Sequence, residues 1–458
     1  MKASGKSTGK KITCVMLACF LVFAGCGDTK KANVETPISG TSVSETESLV
    51  NEEVKEDTVS VSEITASVSE TETSAETSDE EEKDVNVVTV NFEKKSLPES
   101  EALEFVESLG AGWILGNTFD ANDAKGNNTS DLNYETYWQN TKTDREMITD
   151  IKEAGFKTIR IPVSWHNHVD SDFNISSDWM NRVKEVVDWA MEEDLKVIIN
   201  IHHDNETEYM YPSSATLENS KKYVTKIWSQ IATVFGDYDE DLIFETLNEP
   251  RLKDTSEEWW ISDTSQTGLD SINCINELNQ VIVDTIRTTE GKYNSSRYIM
   301  CPGYCASPEY ALKDTYKLPD DTHAAKENRL LVSVHSYTPY NFALNQDQSQ
   351  AVSSFSMYDS SLTGEVTSFM ARLYSKYISN GIGVVIGEFG SVDRNNLNDR
   401  CVHAAYYVAL ARSYGMSCLW WDNNNTSGSG EEFTLYDRAK HEFLYPEIVS
   451  QLVYYGNR

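Results

Sequence analysis

The chain has 458 residues, a net charge of −34 and 10 Trp, 23 Tyr and 15 Phe. Such an acidic chain lacks the basic surface that binds phosphate, so the composition argues against nucleic acid or an anionic membrane surface as a partner. Solubility alone would explain the charge, but the aromatic content favours a cleft for a neutral ligand.

The first 26 residues have the pattern of an export signal. Four lysines precede an apolar run at 12–25, which is shorter than the roughly 20 residues that a membrane-spanning helix needs. A basic start and a short apolar run are typical of a secretory signal peptide. The run ends in Phe23-Ala24-Gly25-Cys26, which resembles a bacterial lipobox. The resemblance implies that residues 1–26 are a lipoprotein signal peptide and that lipidated Cys26 anchors an extracellular protein to the bacterial cell surface.

A secretory signal cleaved nearby, with Cys26 left unmodified, is the alternative. In either case residues 27–96 are predicted to be a Ser/Thr/Glu-rich disordered linker. Residues 28–84 contain no Phe, Trp or Tyr, and of these 57 residues 19 are Ser or Thr and 17 are Asp or Glu. A segment this polar cannot bury enough apolar surface to offset the entropy lost on ordering. We expect it to tether a globular domain at 97–458, and the membrane to be contacted only through the lipid anchor.

Within 97–458, apolar strand-like runs alternate with segments of helical period. Eight such units predict an α/β fold of the (β/α)8 TIM barrel type, because near-continuous apolar strands fit a parallel sheet that is covered on both faces. A doubly wound open sheet is the alternative, but no Gly-x-Gly-x-x-Gly motif follows the first strand. The predicted strands are 112–119, 158–165, 196–204, 242–250, 297–304, 330–337, 383–390 and 417–423.

Chemically active side chains stand at the ends of most of these runs. In barrels of this class the C-terminal ends of the strands carry the active site. Seven of the eight runs end in this way, which is hard to explain as a chance placement of polar residues at the surface. Their final residues are Gly116-Asn117-Thr118, Ser164-Trp165-His166, His202-His203-Asp204, Asn248-Glu249-Pro250, His335-Ser336-Tyr337, Gly387-Glu388-Phe389-Gly390 and Trp420-Trp421-Asp422-Asn423.

Glu249 and Glu388 are the candidate catalytic pair. They close the fourth and seventh strands, which lie on nearly opposite sides of a barrel, so their side chains can face each other across its mouth. Two carboxyl groups that flank one bond are the apparatus of glycoside hydrolysis. One must hold a proton and the other must be ionised, so their surroundings must separate their pKa values. We expect Arg160 and Tyr337 to favour ionised Glu388, and Glu249 to hold the proton.

These motifs resemble glycoside hydrolase family 5, and some resemble its subfamily 4. The likeness covers about 105–455 and implies a retaining endo-β-1,4-glucanase, a cellulase, with Glu249 as acid/base and Glu388 as nucleophile. It implies that Asn248 holds the sugar 2-hydroxyl and that Trp421 forms a platform under the sugar at the point of cleavage. The motifs that carry it include Ile159-Arg160-Ile161-Pro162, Asn200-Ile201-His202-His203, Asn248-Glu249-Pro250, Val334-His335-Ser336-Tyr337 and Gly387-Glu388-Phe389-Gly390.

The resemblance also assigns the remaining sugar-binding positions and the substrate. Arg160, His202, His335 and Tyr337 match active-site positions of the family, and Asn117 and His203 match its more variable sugar contacts. The expected partner is a plant cell-wall β-glucan, and a xyloglucan, a mixed-linkage β-glucan and a xylan are alternatives within the family. A non-catalytic polysaccharide-binding lipoprotein is a further alternative. We expect a monomer that needs no cofactor and no metal.

Overall fold

A computed structural model describes residues 87–123, 131–428 and 430–458. Within these ranges, eight parallel strands close into a barrel in chain order, and β8 pairs with β1. The predicted (β/α)8 TIM barrel is therefore confirmed. The barrel strands are β1 (Ala111–Leu115), β2 (Thr158–Ile161), β3 (Lys196–Asn200), β4 (Leu242–Glu245), β5 (Ile299–Pro302), β6 (Leu330–His335), β7 (Val384–Phe389) and β8 (Ser417–Asp422).

Long helices cover the outside of the barrel, and most of them turn one apolar face inward, whereas α9 (Leu397–Ser413) is buried at most of its positions. The crossover from β5 to β6 holds only short helical segments, a 3-10 helix at Tyr304–Ala306 and α6 (Pro308–Ala311). The helices are α1 (Glu101–Ser108), α2 (Arg145–Glu153), α3 (Ser177–Glu192), α4 (Leu217–Val234), α5 (Gln266–Thr288), α6 (Pro308–Ala311), α7 (Tyr340–Ala343), α8 (Ser360–Lys376), α9 (Leu397–Ser413) and α10 (Pro446–Gly456). A two-stranded hairpin, β9 (Tyr436–Asp437) and β10 (Glu442–Phe443), follows β8.

The interior of the barrel is a packed layer of apolar side chains. Ile114, Ile198, Ile243, Met300 and Leu331 belong to one buried cluster, which also includes residues of β7 and β8. Helix α1 contributes to the same cluster, so it covers the N-terminal end of the barrel. Packing closes that end, and the C-terminal ends of the strands are left to build a site.

The segment that precedes α1 is bonded to the barrel. The backbone N–H of Val88 donates to Gln451 Oε1 at 2.9 Å, and that of Val90 donates to the Tyr455 hydroxyl at 2.8 Å. These contacts begin before residue 97, where the globular domain was expected to start. The predicted signal peptide, Cys26 and most of the predicted linker lie outside the described residues. Among the described helices, none combines the length and the apolar character needed to cross a membrane.

Candidate active site

Arg160 on β2 is the centre of a buried hydrogen-bond network below the mouth of the barrel. Its Nη1 donates to Glu388 Oε1 at 2.8 Å, and its Nη2 donates to Asn248 Oδ1 at 2.7 Å. Nε and Nη2 both donate to Glu245 Oε2, at 2.8 and 2.6 Å. Burial disfavours the charged guanidinium, but the charges of Glu245 and Glu388 outweigh it and raise the pKa of Arg160. The side chain is therefore a fixed cation.

Glu388 is aimed by an irregularity in β7. Val334 pairs with Ile386, but His335 pairs with Glu388, so Gly387 is an extra residue relative to β6. A Cβ atom at Gly387 would lie 3.1 Å from His335 Nε2, which explains why glycine stands there. Bulges of this kind re-aim side chains beside active sites.

Both oxygens of Glu388 are held in place. Oε1 accepts from Arg160, and Oε2 accepts from the Tyr337 hydroxyl at 2.9 Å. Two donors on one carboxylate favour its ionised form and fix its orientation. The structure thus brings Arg160 and Tyr337 together at Glu388, as the sequence suggested.

His335 lies between the two candidate catalytic carboxyls. Its Nδ1 is 2.9 Å from Glu249 Oε1 and 3.7 Å from Glu388 Oε1. One oxygen of each carboxyl and one His335 nitrogen all lie within 4.8 Å of one another. The two carboxyls therefore lie close enough to act on one bond between them.

The protonation states of His335, Glu249 and Glu388 depend on one another. Burial disfavours protonated His335, but the charge of Glu388 and the contacts with Glu245 and Glu249 raise its pKa to about 9. Burial also opposes ionisation of Glu249, yet the His335 hydrogen bond and charge outweigh it and lower the pKa of Glu249. For Glu388, burial prevails over the charges of His335 and Arg160 and raises its pKa. These directions are opposite to the expectation that Glu249 holds the proton and Glu388 is ionised. That expectation omitted His335, whose charge favours ionised Glu249 and whose Nδ1 shares a proton with it across 2.9 Å.

Trp421 and the two histidines after β3 line one side of the mouth. The Trp421 and His202 rings are parallel, with their centroids 6.0 Å apart, and the His203 ring is 4.3 Å from that of His202. A Cβ atom at Gly116 would lie 2.8 Å from the Trp421 indole, so glycine is required beneath the platform. Burial lowers the pKa of both histidines well below the ordinary value, so both are neutral.

Asn117 occupies the same side, in a left-handed conformation with φ of 57°. Its Nδ2 donates to the Asn423 carbonyl at 3.0 Å, and its backbone N–H donates to Asp120 Oδ2 at 3.0 Å. Asn117 therefore joins the β1 loop to the β8 loop beside Trp421. All ten predicted site residues on the barrel lie at or just below its C-terminal mouth.

Sequence reasoning missed three residues of this region. Glu245 is fully buried beneath the pair, where Oε1 accepts from Ser333 and Oε2 accepts from Arg160. Arg251 lies with Nη1 3.8 Å from Glu249 Oε2. Trp138, in the loop after β1, is 42% exposed and its ring is 5.5 Å from that of His203. A lone charge inside an apolar strand was the available signal for Glu245.

Two groups of three ligand-type side chains lie within reach of a single ion in the described part of the chain. One consists of Glu249, His335 and Glu388, and the other consists of Asp120, His202 and His203. The Asp120 oxygens already accept the backbone N–H groups of Asn117 and Thr118. Burial raises the pKa of Asp120 to about 7, so this carboxyl is a poor ligand. That the protein needs no metal stays a prediction.

Comparison with known proteins agrees with this geometry. A family model described as cellulase, glycosyl hydrolase family 5, matches residues 122–427. A family 5 lichenase from Caldicellulosiruptor sp. F32 has 48% sequence identity and a TM-score of 0.79, over 81% of this chain and 100% of that one. A broad specificity endoglucanase of family 5, subfamily 4, from Ruminococcus champanellensis has 37% identity and a TM-score of 0.71, over 78% and 100%.

Relatives known by sequence point the same way. Endoglucanase A of Clostridium longisporum is 41% identical over 77% of this chain and 65% of its own length. Endoglucanase B of Neocallimastix patriciarum is 39% identical over 78% of this chain and 72% of its own length. The chain thus spans about two thirds of the length of these curated relatives. With the family model, the barrel and the carboxyl pair in agreement, the chain belongs to the cellulase family, glycosyl hydrolase family 5.

Proposed function

We propose that the protein is a retaining endo-β-1,4-glucanase in which Glu388 is the nucleophile and Glu249 is the acid/base. The observation that carries this proposal is the approach of the two carboxyls, which have oxygens within 4.8 Å of each other. Retaining glycosidases place their carboxyl groups about 5–5.5 Å apart, and inverting enzymes place them about 6.5–9.5 Å apart. The short gap agrees with the retaining spacing and supports retention.

In the first step Glu388 attacks the anomeric carbon and the glycosidic C–O bond breaks. The leaving oxygen takes the proton that His335 Nδ1 and Glu249 Oε1 share across 2.9 Å. Asn248 Oδ1 accepts from Arg160, which turns the Asn248 amide nitrogen toward the sugar 2-hydroxyl, a contact that strengthens in the transition state. In the second step Glu249 takes a proton from water, which attacks the anomeric carbon and releases Glu388.

The two roles are tested by replacing each carboxyl and adding azide. Glu388→Ala should lose turnover, and azide should restore it with a glycosyl azide of inverted configuration. Glu249→Ala should still react with substrates whose leaving group needs no proton, and azide should give a product of retained configuration. Proton NMR of the products distinguishes the two outcomes. The opposite pattern would mean that the roles are exchanged.

A mixed-linkage β-glucan is the second candidate substrate. It is favoured by the likeness to a lichenase at 48% identity, whereas the match to broad specificity endoglucanases at 36–38% identity favours several β-glucans. The catalytic residues do not discriminate between these polymers. Initial rates on purified cellulose derivatives, mixed-linkage β-glucan, xyloglucan and xylan, at equal mass, decide the preference.

Cleavage within the polymer is the finer part of the proposal. Candidate sugar-binding side chains stand on several sides of the mouth, from Asn117 after β1 to Tyr337 after β6, so a long chain can lie across the catalytic pair. We expect the viscosity of a soluble cellulose derivative to fall rapidly while little reducing sugar appears. A steady release of glucose or cellobiose with nearly constant viscosity would mean attack from chain ends.

We also propose that the enzyme is exported and held at the cell surface by a lipid on Cys26. The proposal rests on the basic start, the apolar run at 12–25 and the lipobox-like Phe23-Ala24-Gly25-Cys26. Cys26→Ala should move the protein from the membrane fraction of the producing bacterium to the medium. If the variant is processed normally and stays with the membrane, the anchor is not on this cysteine.

A further inference from the structure

Glu249 faces a second cation besides His335. Arg251, two residues further along the chain, has Nη1 3.8 Å from Glu249 Oε2 and donates from the same nitrogen to the Glu249 carbonyl at 3.0 Å. His335 contacts the other carboxylate oxygen, Oε1. Each oxygen of Glu249 therefore has its own cation, and Arg251 holds both the main chain and the side chain of this residue.

Arg251 is itself held by neighbours from two loops. Its Nε donates to Glu258 Oε1 at 3.1 Å, and its guanidinium lies 4.2 Å from the centroid of the Trp259 ring. Asn205, in the loop after β3, donates to the Arg251 carbonyl at 2.7 Å and accepts from its N–H at 3.2 Å. Only 9% of the Arg251 side chain is exposed. A guanidinium that is stacked on an indole and bonded in this way is held in one orientation, whereas a flexible surface arginine samples several.

We propose that Arg251 is a positioning residue, which keeps the Glu249 carboxyl in place and whose fixed charge sets the pH above which the enzyme loses its catalytic proton. The inference rests on the proposed function, because it takes Glu249 as the acid/base. It adds a role for the residue that directly follows the Asn-Glu-Pro motif.

The sign of the effect follows from the charges around Glu249. A cation repels a proton whether that proton is on Glu249 or on His335, so Arg251 lowers the pH at which the pair releases it. The charge of Arg251 contributes to the lowered pKa of Glu249, and the charge of Glu249 in turn raises the pKa of Arg251. The other titratable or charged groups that interact with Glu249 are Arg160 on β2, Cys305 after β5, His335 and Tyr337 on β6 and after it, Glu388 on β7 and Glu431 after β8.

The test compares Arg251→Met, which removes the charge, with Arg251→Lys, which keeps it. For each, kcat/KM is measured from pH 4 to 10 with an aryl β-cellobioside whose leaving group requires protonation. The basic limb of this profile reports the catalytic proton in the free enzyme. In Arg251→Met we expect the basic limb of the profile to move upward by about 1 pH unit. This is the lower end of the 1–3 units typical of a neighbouring opposite charge, because Glu258 neutralises part of the arginine charge. In Arg251→Lys it should stay near the wild-type position.

A dinitrophenyl β-cellobioside, which leaves without a proton, provides the second readout. Its kcat/KM for Arg251→Met should stay close to wild type on the acid side, because attack by Glu388 is not changed. A purely structural role would lower kcat/KM for both substrates and leave the basic limb in place, and that result would overturn the inference.

Glu258→Gln keeps the proposal testable if Arg251→Met does not fold. This change strengthens the field of Arg251 at Glu249, so the basic limb should move to lower pH, and an unmoved limb would count against the role. Glu249→Ala separates the two proposals. If it reacts equally slowly with both cellobiosides, Glu249 is not the acid/base and the proposed function fails, whatever Arg251 does. If it reacts only with the dinitrophenyl substrate while the limb of Arg251→Met is unmoved, the inference about Arg251 fails alone.

Discussion

Replacing Glu245 by Gln should destabilise the folded protein by about 3 kcal/mol at pH 7, although the side chain keeps its size. Burial alone would raise the pKa of Glu245, but the charge of Arg160 and the contacts with His335 and Ser333 lower it from 4.5 to about 2. At 1.36 kcal/mol per pH unit, this difference corresponds to about 3 kcal/mol of stabilisation. Removing one partner of a buried ion pair costs about 3–5 kcal/mol in other proteins, which agrees.

The loss should depend on pH with a defined sign. The pKa of Glu245 is lowered in the folded state, so its stabilisation is fully present above about pH 4.5 and is lost as the pH falls toward 2. The difference between wild type and Glu245→Gln should shrink from about 3 kcal/mol at pH 7 to about 2 kcal/mol near pH 3.5.

Urea unfolding followed by tryptophan fluorescence at both pH values measures this difference. Glu327→Gln is the matched control, because Glu327 is exposed in the loop before β6, and it should change the free energy of unfolding by less than about 0.5 kcal/mol. Equal stability of wild type and Glu245→Gln at pH 7, or a difference that grows toward acid, would refute the reasoning.

Three further outcomes follow from the structure. Trp138→Ala should raise KM for long soluble glucans several-fold more than for an aryl cellobioside, because its ring stands beyond His203 at the rim of the mouth; equal changes in KM for both would contradict a sugar-binding role. Arg438→Met should lower the free energy of unfolding by about 3 kcal/mol, because buried Asp422 loses its counter-charge. Denaturant titration checks this, and unchanged stability would contradict it. Iodoacetamide under native conditions should leave activity unchanged, because the five cysteines in the described ranges are buried and unpaired. Burial also raises the pKa of each thiol, and rapid inactivation would refute this.

The sequence was sufficient to predict the barrel because strand and helix periods alternate along it. The predicted ends of the strands were less accurate. The fourth run was predicted at 242–250, but β4 ends at Glu245, since Leu247 stays fully buried after the strand has ended. An apolar pattern reports burial, and in a barrel the first loop residues are as buried as the strand itself. The site residues at these ends were found because chemistry and position coincide there.

Glu245 and Arg251 were missed for different reasons. Glu245 shares the inward-facing parity of Ile243, two residues earlier, so its polar side chain below the mouth was in principle readable. It went unnoticed because Glu249 in the same run matched a motif. Arg251 could not have been placed from sequence, because its role depends on Trp259 and Asn205, which come from separate loops.

The buried charges at the mouth form a set that suits a reaction in which negative charge moves over a short distance. Arg160 balances Glu245 and Glu388, and His335 lies 2.9 Å from Glu249 and 3.7 Å from Glu388. In the proposed first step Glu388 loses its charge to a covalent bond, while the proton that leaves the His335–Glu249 pair makes this pair negative. The total charge of Glu388, His335 and Glu249, which Arg160 faces, is therefore the same before and after. The charge of Arg160 acts on both Glu249 and Glu388, so this buried cation can stabilise both states without rearrangement, which is how preorganised charges lower a barrier.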